Sequence, residues 1–315
     1  MSILKKMFAA AAVAGLVSTV GIVPADAAPK NQARSVAQPD WLEQNIDNPK
    51  VRIIEVSTEP GIYERGHIKN AINFVWHTDL VDTVNRDIIN AKNFSKLVQK
   101  AGISDDTTVV LYGDKNNWFA AWGAWIFNIY GQKDVRVLDG GRVKWEKDGR
   151  PLTTAVPTFA AGNFTATKQD RSIRATLIKD VLPVAKKRAK ADLIDIRGAD
   201  EFNGKVFAAP GFQELAVRAG HIPGAINVPW GANVNADGTF KTVAELKKLY
   251  ADKGVDGKQN IITYCRIGER SSLTWFVLSE ILGYNVKNYD GSWTEYGNTV
   301  GVPIINNAGT IWGAQ

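Results

Sequence analysis

The chain is 315 residues long, 45% hydrophobic and 22% charged, with a formal charge of +6 and one cysteine. That length suits two domains of ordinary size, and the balance excludes a disordered or low-complexity chain. Lys and Arg are dispersed apart from Lys186-Lys187-Arg188, which reads as a solvated helix face, so no nucleic-acid partner is expected.

In chain order, Lys5 and Lys6 precede an apolar run from Met7 to Val23, and Pro24-Ala25-Asp26-Ala27 closes it. A charged start, an apolar core and a small-x-small ending make a secretory signal peptide, residues 1–27, cut after Ala27. The alternative, a retained membrane anchor, fits a short Ala- and Gly-rich run less well. No later stretch is apolar and long enough to span a bilayer. The expectation is a periplasmic or secreted protein, free of the membrane after cleavage.

The remainder is one plan written twice. Gly66-His67-Ile68, followed by Ala71-Ile72-Asn73, is echoed by Gly220-His221-Ile222 and Ala225-Ile226-Asn227. Apolar strands precede each, Val51 to Val56 in the first half and Leu193 to Ile196 in the second. Downstream, Thr108 to Tyr112 matches Asn260 to Tyr264 as a buried, β-branched strand. Gly113 to Gly131 and Cys265 to Gly283 are both 18 positions, each holding a loop and a helix that stops at glycine. Val135 to Gly141 then matches Val286 to Ser292, with Trp145 and Tyr296 each six positions beyond an Asp.

Strands alternating with helices predict an α/β protein with two domains, each a parallel sheet flanked by helices. The first domain is expected over residues 28–150 and the second over 172–315, joined by a Pro-, Thr- and Ala-rich linker at 151–171.

Cys265 stands directly after a buried strand and before Arg266-Ile267-Gly268-Glu269-Arg270, with Ser271 or Ser272 as the N-cap of the next helix. With no partner in the chain, it is inert and buried, paired between chains, or chemically used. Ligands of α/β sheets bind outside the carboxyl ends of the strands. A tight loop there aims backbone N–H groups and a helix dipole at one spot, and Arg266 and Arg270 add two positive charges. Such surroundings favour the thiolate, the reactive form. The spacing separates two chemistries. Phosphate-binding cysteine loops need C-x5-R, whereas Arg270 lies five steps from Cys265, leaving room for a sulfur atom but not a tetrahedral phosphate.

The run from Tyr264 to Ser272, with Arg218 to Asn227 upstream and Asp290-Gly291-Ser292-Trp293 downstream, resembles the rhodanese family, and within it the tandem-domain thiosulfate sulfurtransferases. The resemblance covers nearly everything from Asp40 to Val302. It implies two rhodanese-like domains, the second catalytic and the first a degenerate copy, because Gly113 takes the place of Cys265. It implies that the Cys265 thiolate takes the outer sulfur of a small donor such as thiosulfate, and that cyanide or a thiol removes it from the persulfide. Arg266, Ile267, Gly268, Glu269 and Arg270 would form the substrate loop, with Glu269 free to pair with either arginine.

Asp195 and Arg197 match a frequent Asp-x-Arg pattern of the family. Asp195 is expected to hold the loop through its N–H groups or Arg266, with a strand-end turn as the alternative, and Ser271 supports the loop as well. Glu201 is given no binding role. His67 and His221 read as structural, and Trp293 either lines the pocket or packs beneath the last helix. No metal or organic cofactor is implied, the partners are a small sulfur donor and acceptor, and a monomer is the default. Ile267 stands where some thiosulfate-type members have lysine. Arg266 departs from the small uncharged loop of mercaptopyruvate-type relatives, which keeps that donor as the alternative, beside a carrier fed by a partner protein.

Overall fold

The computed structural model describes residues 32–312 except Glu214, so the signal-peptide segment 1–27 lies outside the described residues. Ten short strands form two sheets. The first sheet contains β1 (Val36–Ala37), β2 (Val51–Glu55), β3 (Ala71–Asn73), β4 (Thr108–Tyr112) and β5 (Asp134–Leu138), in the order β1-β5-β4-β2-β3. The second contains β6 (Arg174–Ala175), β7 (Asp192–Asp195), β8 (Ile226–Asn227), β9 (Ile261–Tyr264) and β10 (Val286–Tyr289), in the order β6-β10-β9-β7-β8. Every pairing in both sheets is parallel. Advancing each label by five turns one order into the other, so the duplication seen in the sequence is a duplication of topology.

The central strands β4 and β9 are covered on both faces and therefore read as near-continuous apolar runs, each with one threonine. The helices that follow them, α1 (Trp118–Ile129) and α2 (Ser271–Trp275, continued as a wider-wound helix over Phe276–Ile281), are buried almost all round. They pack on each other, so one apolar cluster runs from Leu111 and Trp122 in the first unit to Cys265, Leu273 and Phe276 in the second. Both helices stop before a glycine in the left-handed region, Gly131 (φ 87) and Gly283 (φ 75).

Residues 151–171, the expected linker, lie along the first unit. Thr153 pairs with His67 as an antiparallel bridge, Gly162 N–H donates to Gln99 O, and Phe164 is buried. The second unit closes in the same way, Ile305 pairing with His221. Both imidazoles are structural: His67 stacks on Tyr63 and has Nδ1 on its carbonyl, and His221 stands likewise on Phe202. Among the described residues, no helix is long and apolar enough to cross a membrane.

Candidate active site

β9 delivers Cys265 to the carboxyl edge of its sheet, and two neighbouring segments fix the turn that follows. From a short helix, α3 (Ser292–Tyr296), Ser292 Oγ accepts the Cys265 N–H at 3.1 Å and Trp293 N–H donates to Cys265 O at 3.0 Å. Thr294 donates to Arg266 O through both N–H (2.9 Å) and Oγ1 (2.8 Å). From the end of β10, Asn288 Nδ2 donates to Gly268 O at 3.1 Å and to Ser272 Oγ at 3.1 Å.

Clamped at both ends, the loop turns its Gly268 N–H onto Cys265 Sγ at 3.1 Å. Gly268 has φ +104, and a Cβ there would meet Asp290 O at 2.3 Å, so only glycine brings this amide to the sulfur. Cys265 is completely buried among apolar side chains.

Ser271 supports the loop, but neither it nor Ser272 caps the helix. Arg270 already has helical angles at the N-cap position (φ −62, ψ −32), which places both serines inside the first turn. Ser271 Oγ instead lies 2.8 Å from Gly268 O and 2.6 Å from Asn288 Oδ1.

The loop arginines flank Phe212. Arg266 donates to Gln213 O at 2.7 Å and lies 5.2 Å over the Phe212 ring. Arg270 lies between Phe212 (5.5 Å) and Trp118 of the first unit (5.6 Å), with Glu201 Oε1 3.9 Å away. Glu269, free in the sequence reading to pair with either of them, pairs with neither. Its carboxyl is buried, Oε2 has no hydrogen-bond partner, and burial together with the charges of Cys265 and Asp290 pushes it well above the usual carboxylate range. Ile267 faces the other way, into a pocket of about 240 Å³ shared with Trp76, Trp122 and Arg86 of the first unit.

Asp195 does not hold the loop. Both of its oxygens are taken by Arg197, with Nη2 at 2.6 Å, and Arg197 donates on to Gly220 O at 2.7 Å. The Tyr264 hydroxyl accepts the Ile222 N–H, and the charge of Asp195 acts on it. The first unit, which has no cysteine, builds the same brace. There Arg142 grips Glu55 at 3.0 Å and donates to Gly66 O at 2.6 Å, and Tyr112 joins Glu55 to the Ile68 N–H. A brace present in both units belongs to the fold, not to sulfur chemistry. Arg197 also lies 4.7 Å over Trp293, which packs beneath the site fully buried, its indole N–H on Arg218 O.

The first unit's loop is built against a sulfur centre. Gly113 N–H goes to Asn117 Oδ1, and Lys115, Asn116 and Asn117 are all left-handed (φ 46, 56 and 65). A Cβ on Gly113 would stand 2.2 Å from Val56 O.

Sequence reasoning passed over Ser292 and Asn288. The repeat held a signal for Ser292: its counterpart is Gly141 (φ 55), and a serine kept at such a backbone position (φ 50) points to a task for its side chain. Asn288 lies inside an ordinary strand pattern, which carries no such signal.

Two parallel α/β units, one carrying a buried cysteine with the Gly268 amide on its sulfur at the strand edge, define a tandem protein with a single sulfur centre. The profile described as "Rhodanese-like domain" matches residues 38–148 and 181–299, and the chain belongs to that family. It is 52% identical over 267 residues to a protein of Mycolicibacterium smegmatis provisionally named thiosulfate sulfurtransferase, covering 84% of this chain and 95% of that one. It is 50% identical over 270 residues to the sulfur carrier protein TtuD of Thermus thermophilus, covering 84% and 94%. Among solved structures, the 3-mercaptopyruvate sulfurtransferase SseA of Escherichia coli superposes with a TM-score of 0.70 at 28% identity, over 82% of this chain and 98% of that one.

Proposed function

We propose that this chain is a rhodanese-type sulfurtransferase that moves the sulfane sulfur of thiosulfate through a persulfide on Cys265. The observation that carries this reading is the Gly268 N–H on Cys265 Sγ, an amide fixed where negative charge on sulfur resides before and after transfer. The Cys265 thiolate attacks the outer sulfur of thiosulfate, the bond to the sulfonate sulfur breaks, and its electron pair leaves with sulfite. Cyanide or a thiolate then attacks the terminal sulfur and Cys265 is regenerated. Every step is a displacement at divalent sulfur and balances without oxidant or reductant. Arg266 and Arg270 supply the positive field for the anionic donor, and the strand-ending loop over 265–270 is the substrate site.

The catalytic unit spans 172–315, the first unit over 28–150 walls the cleft, and the protein works outside the cytoplasm as a monomer on small molecules. A second reading, a sulfur carrier loaded by a partner protein, is supported by the 50% identity to the sulfur carrier protein TtuD. Intact mass after mixing with thiosulfate, no acceptor present, separates the two. A gain of about 32 Da on the wild type and none on Cys265→Ser is expected, one sulfur atom held covalently. No gain with thiosulfate, but a gain with 3-mercaptopyruvate, would reassign the donor. No gain with either would leave the carrier.

A further inference from the structure

Glu269 is an unexpected residue to find beside a sulfur anion. It is buried in the catalytic loop, one position from the glycine whose amide touches Sγ. The charges it faces come from three elements: Cys265 in its own loop, Asp290 at the end of β10, and Arg86 in the ribbon (Val81–Asp82 with Asp87–Ile88) that the first unit lays against the loop. Asp290 is itself bound by Arg174 at 3.1 Å. The loop arginines turn away from Glu269, Arg266 to Gln213 and Arg270 towards Glu201. A carboxylate here would therefore add a third negative charge to those of a thiolate and the largely enclosed Asp290, without an ion pair, and its free Oε2 has no donor to accept from.

We propose that Glu269 is a further catalytic residue of the sulfur transfer: its carboxyl, buried in the loop that Cys265 opens, is held as the neutral acid, and its proton is offered to the sulfur anion. This deepens the reading given above and rests on it. The proton stays on Glu269 throughout. It forms a hydrogen bond to sulfur as thiosulfate enters and as sulfite leaves, so the electron count of the displacement is unchanged. Burial and the like charges of Cys265 and Asp290 favour that neutral form. The arrangement assigns separate tasks within one loop. The arginines draw the anion in, and the neutral acid lets it reside beside Cys265 without repulsion.

Ionisation of Glu269 at high pH would place a full charge against the incoming dianion. Persulfide formation should be followed by rapid mixing with thiosulfate from neutral to alkaline pH, in the wild type and in Glu269→Gln, which keeps the shape and a permanent N–H donor. Growing thiolate raises the rate in both, so only a descending limb unique to the wild type reports Glu269. The expected result is a fall of about tenfold along that limb, absent from Glu269→Gln. An identical limb in both proteins, or a loss in Glu269→Gln that is uniform across pH, would overturn the proposal.

Infrared difference spectra give a readout independent of any donor: a protonated-carboxyl band at neutral pH in the wild type that Glu269→Gln lacks. Absence of that band from the wild type overturns the proposal outright. If the band is present but the wild type takes no sulfur from thiosulfate, the donor reading fails by itself. Anionic iodoacetate and neutral iodoacetamide then replace thiosulfate as probes of Cys265, and Glu269→Gln must abolish the alkaline loss of iodoacetate selectivity.

Discussion

Ser292 shows how much a single side chain contributes to this site. Its backbone is left-handed, a conformation that costs a non-glycine residue about 1–2 kcal/mol, and its hydroxyl accepts the Cys265 N–H while donating to Tyr289 O. Ser292→Ala keeps the strain and orphans a buried amide, a penalty of about 1–3 kcal/mol. Ser292→Gly loses the same hydrogen bond but relieves the strain. Urea unfolding should rank the three proteins wild type, Ser292→Gly, Ser292→Ala, with persulfide formation slowed in both variants because the cysteine end of the loop is released. Equal stability of Ser292→Ala and wild type would mean that the hydroxyl does not secure this turn. The sequence made Cys265 and its loop legible because their chemistry is local: a strand, a cysteine and two arginines in one run. Ser292 acts from 27 positions away and Asn288 from 16 to 20, and only the folded sheet brings β10 and α3 beside β9.

Among the elements, the duplicated topology and the glycine-terminated helices were legible because burial imposes near-continuous apolar strands and the left-handed stop demands glycine. The task of Asp195 was not, because its partner changes place between the units. Arg142 reaches Glu55 from a helix over Gly141–Lys147, whereas Arg197 reaches Asp195 from two positions along the chain. Trp293 fills the position aligned with Arg142, and Arg197 lies over its ring. The serines were misjudged for a related reason: the loop curls into helical angles one residue early, at Arg270. These local departures bear on whether the first unit's centre can be restored. Gly113→Cys places a Cβ against Val56 O and a side chain on a left-handed loop with no amide equivalent to that of Gly268. On a Cys265→Ser background, Gly113→Cys should lower stability and gain no sulfur from thiosulfate by intact mass. A gain of about 32 Da there would show that a cysteine alone, without the shaped loop, is enough for persulfide chemistry.

At the scale of the whole molecule the two units are one cooperative body. The apolar cluster is continuous through α1 and α2, Trp118 meets Trp230 edge-on at 4.4 Å, and Asp139 of the first unit accepts the Phe240 N–H of the second at 2.8 Å. Unfolding followed by tryptophan fluorescence and by far-ultraviolet dichroism should therefore coincide. The polar tie that bears most directly on the site is Arg174, which binds Asp87 of the first unit's ribbon and Asp290 beside the Cys265 loop. Asp290 is largely enclosed, its side chain 14% exposed, and its carboxyl is raised by burial, with Arg174 the largest influence opposing that rise. Removing the guanidinium leaves a largely enclosed carboxylate without its counter-charge, whereas removing both charges leaves only a polar amide. Arg174→Met should thus cost about 3 kcal/mol, and adding Asp290→Asn should return part of that loss. The same comparison reaches the chemistry, because the charges of Asp290 and Cys265 both act on Glu269. With Arg174 gone, the negative charge of Asp290 is less compensated, and sulfur uptake from a dianionic donor should slow more than the loss of stability accounts for. The double variant should regain the rate together with the stability. Recovery of stability without recovery of rate would place Arg174 itself in contact with the donor, and a rate unchanged in Arg174→Met would separate the seam between the units from the sulfur centre altogether.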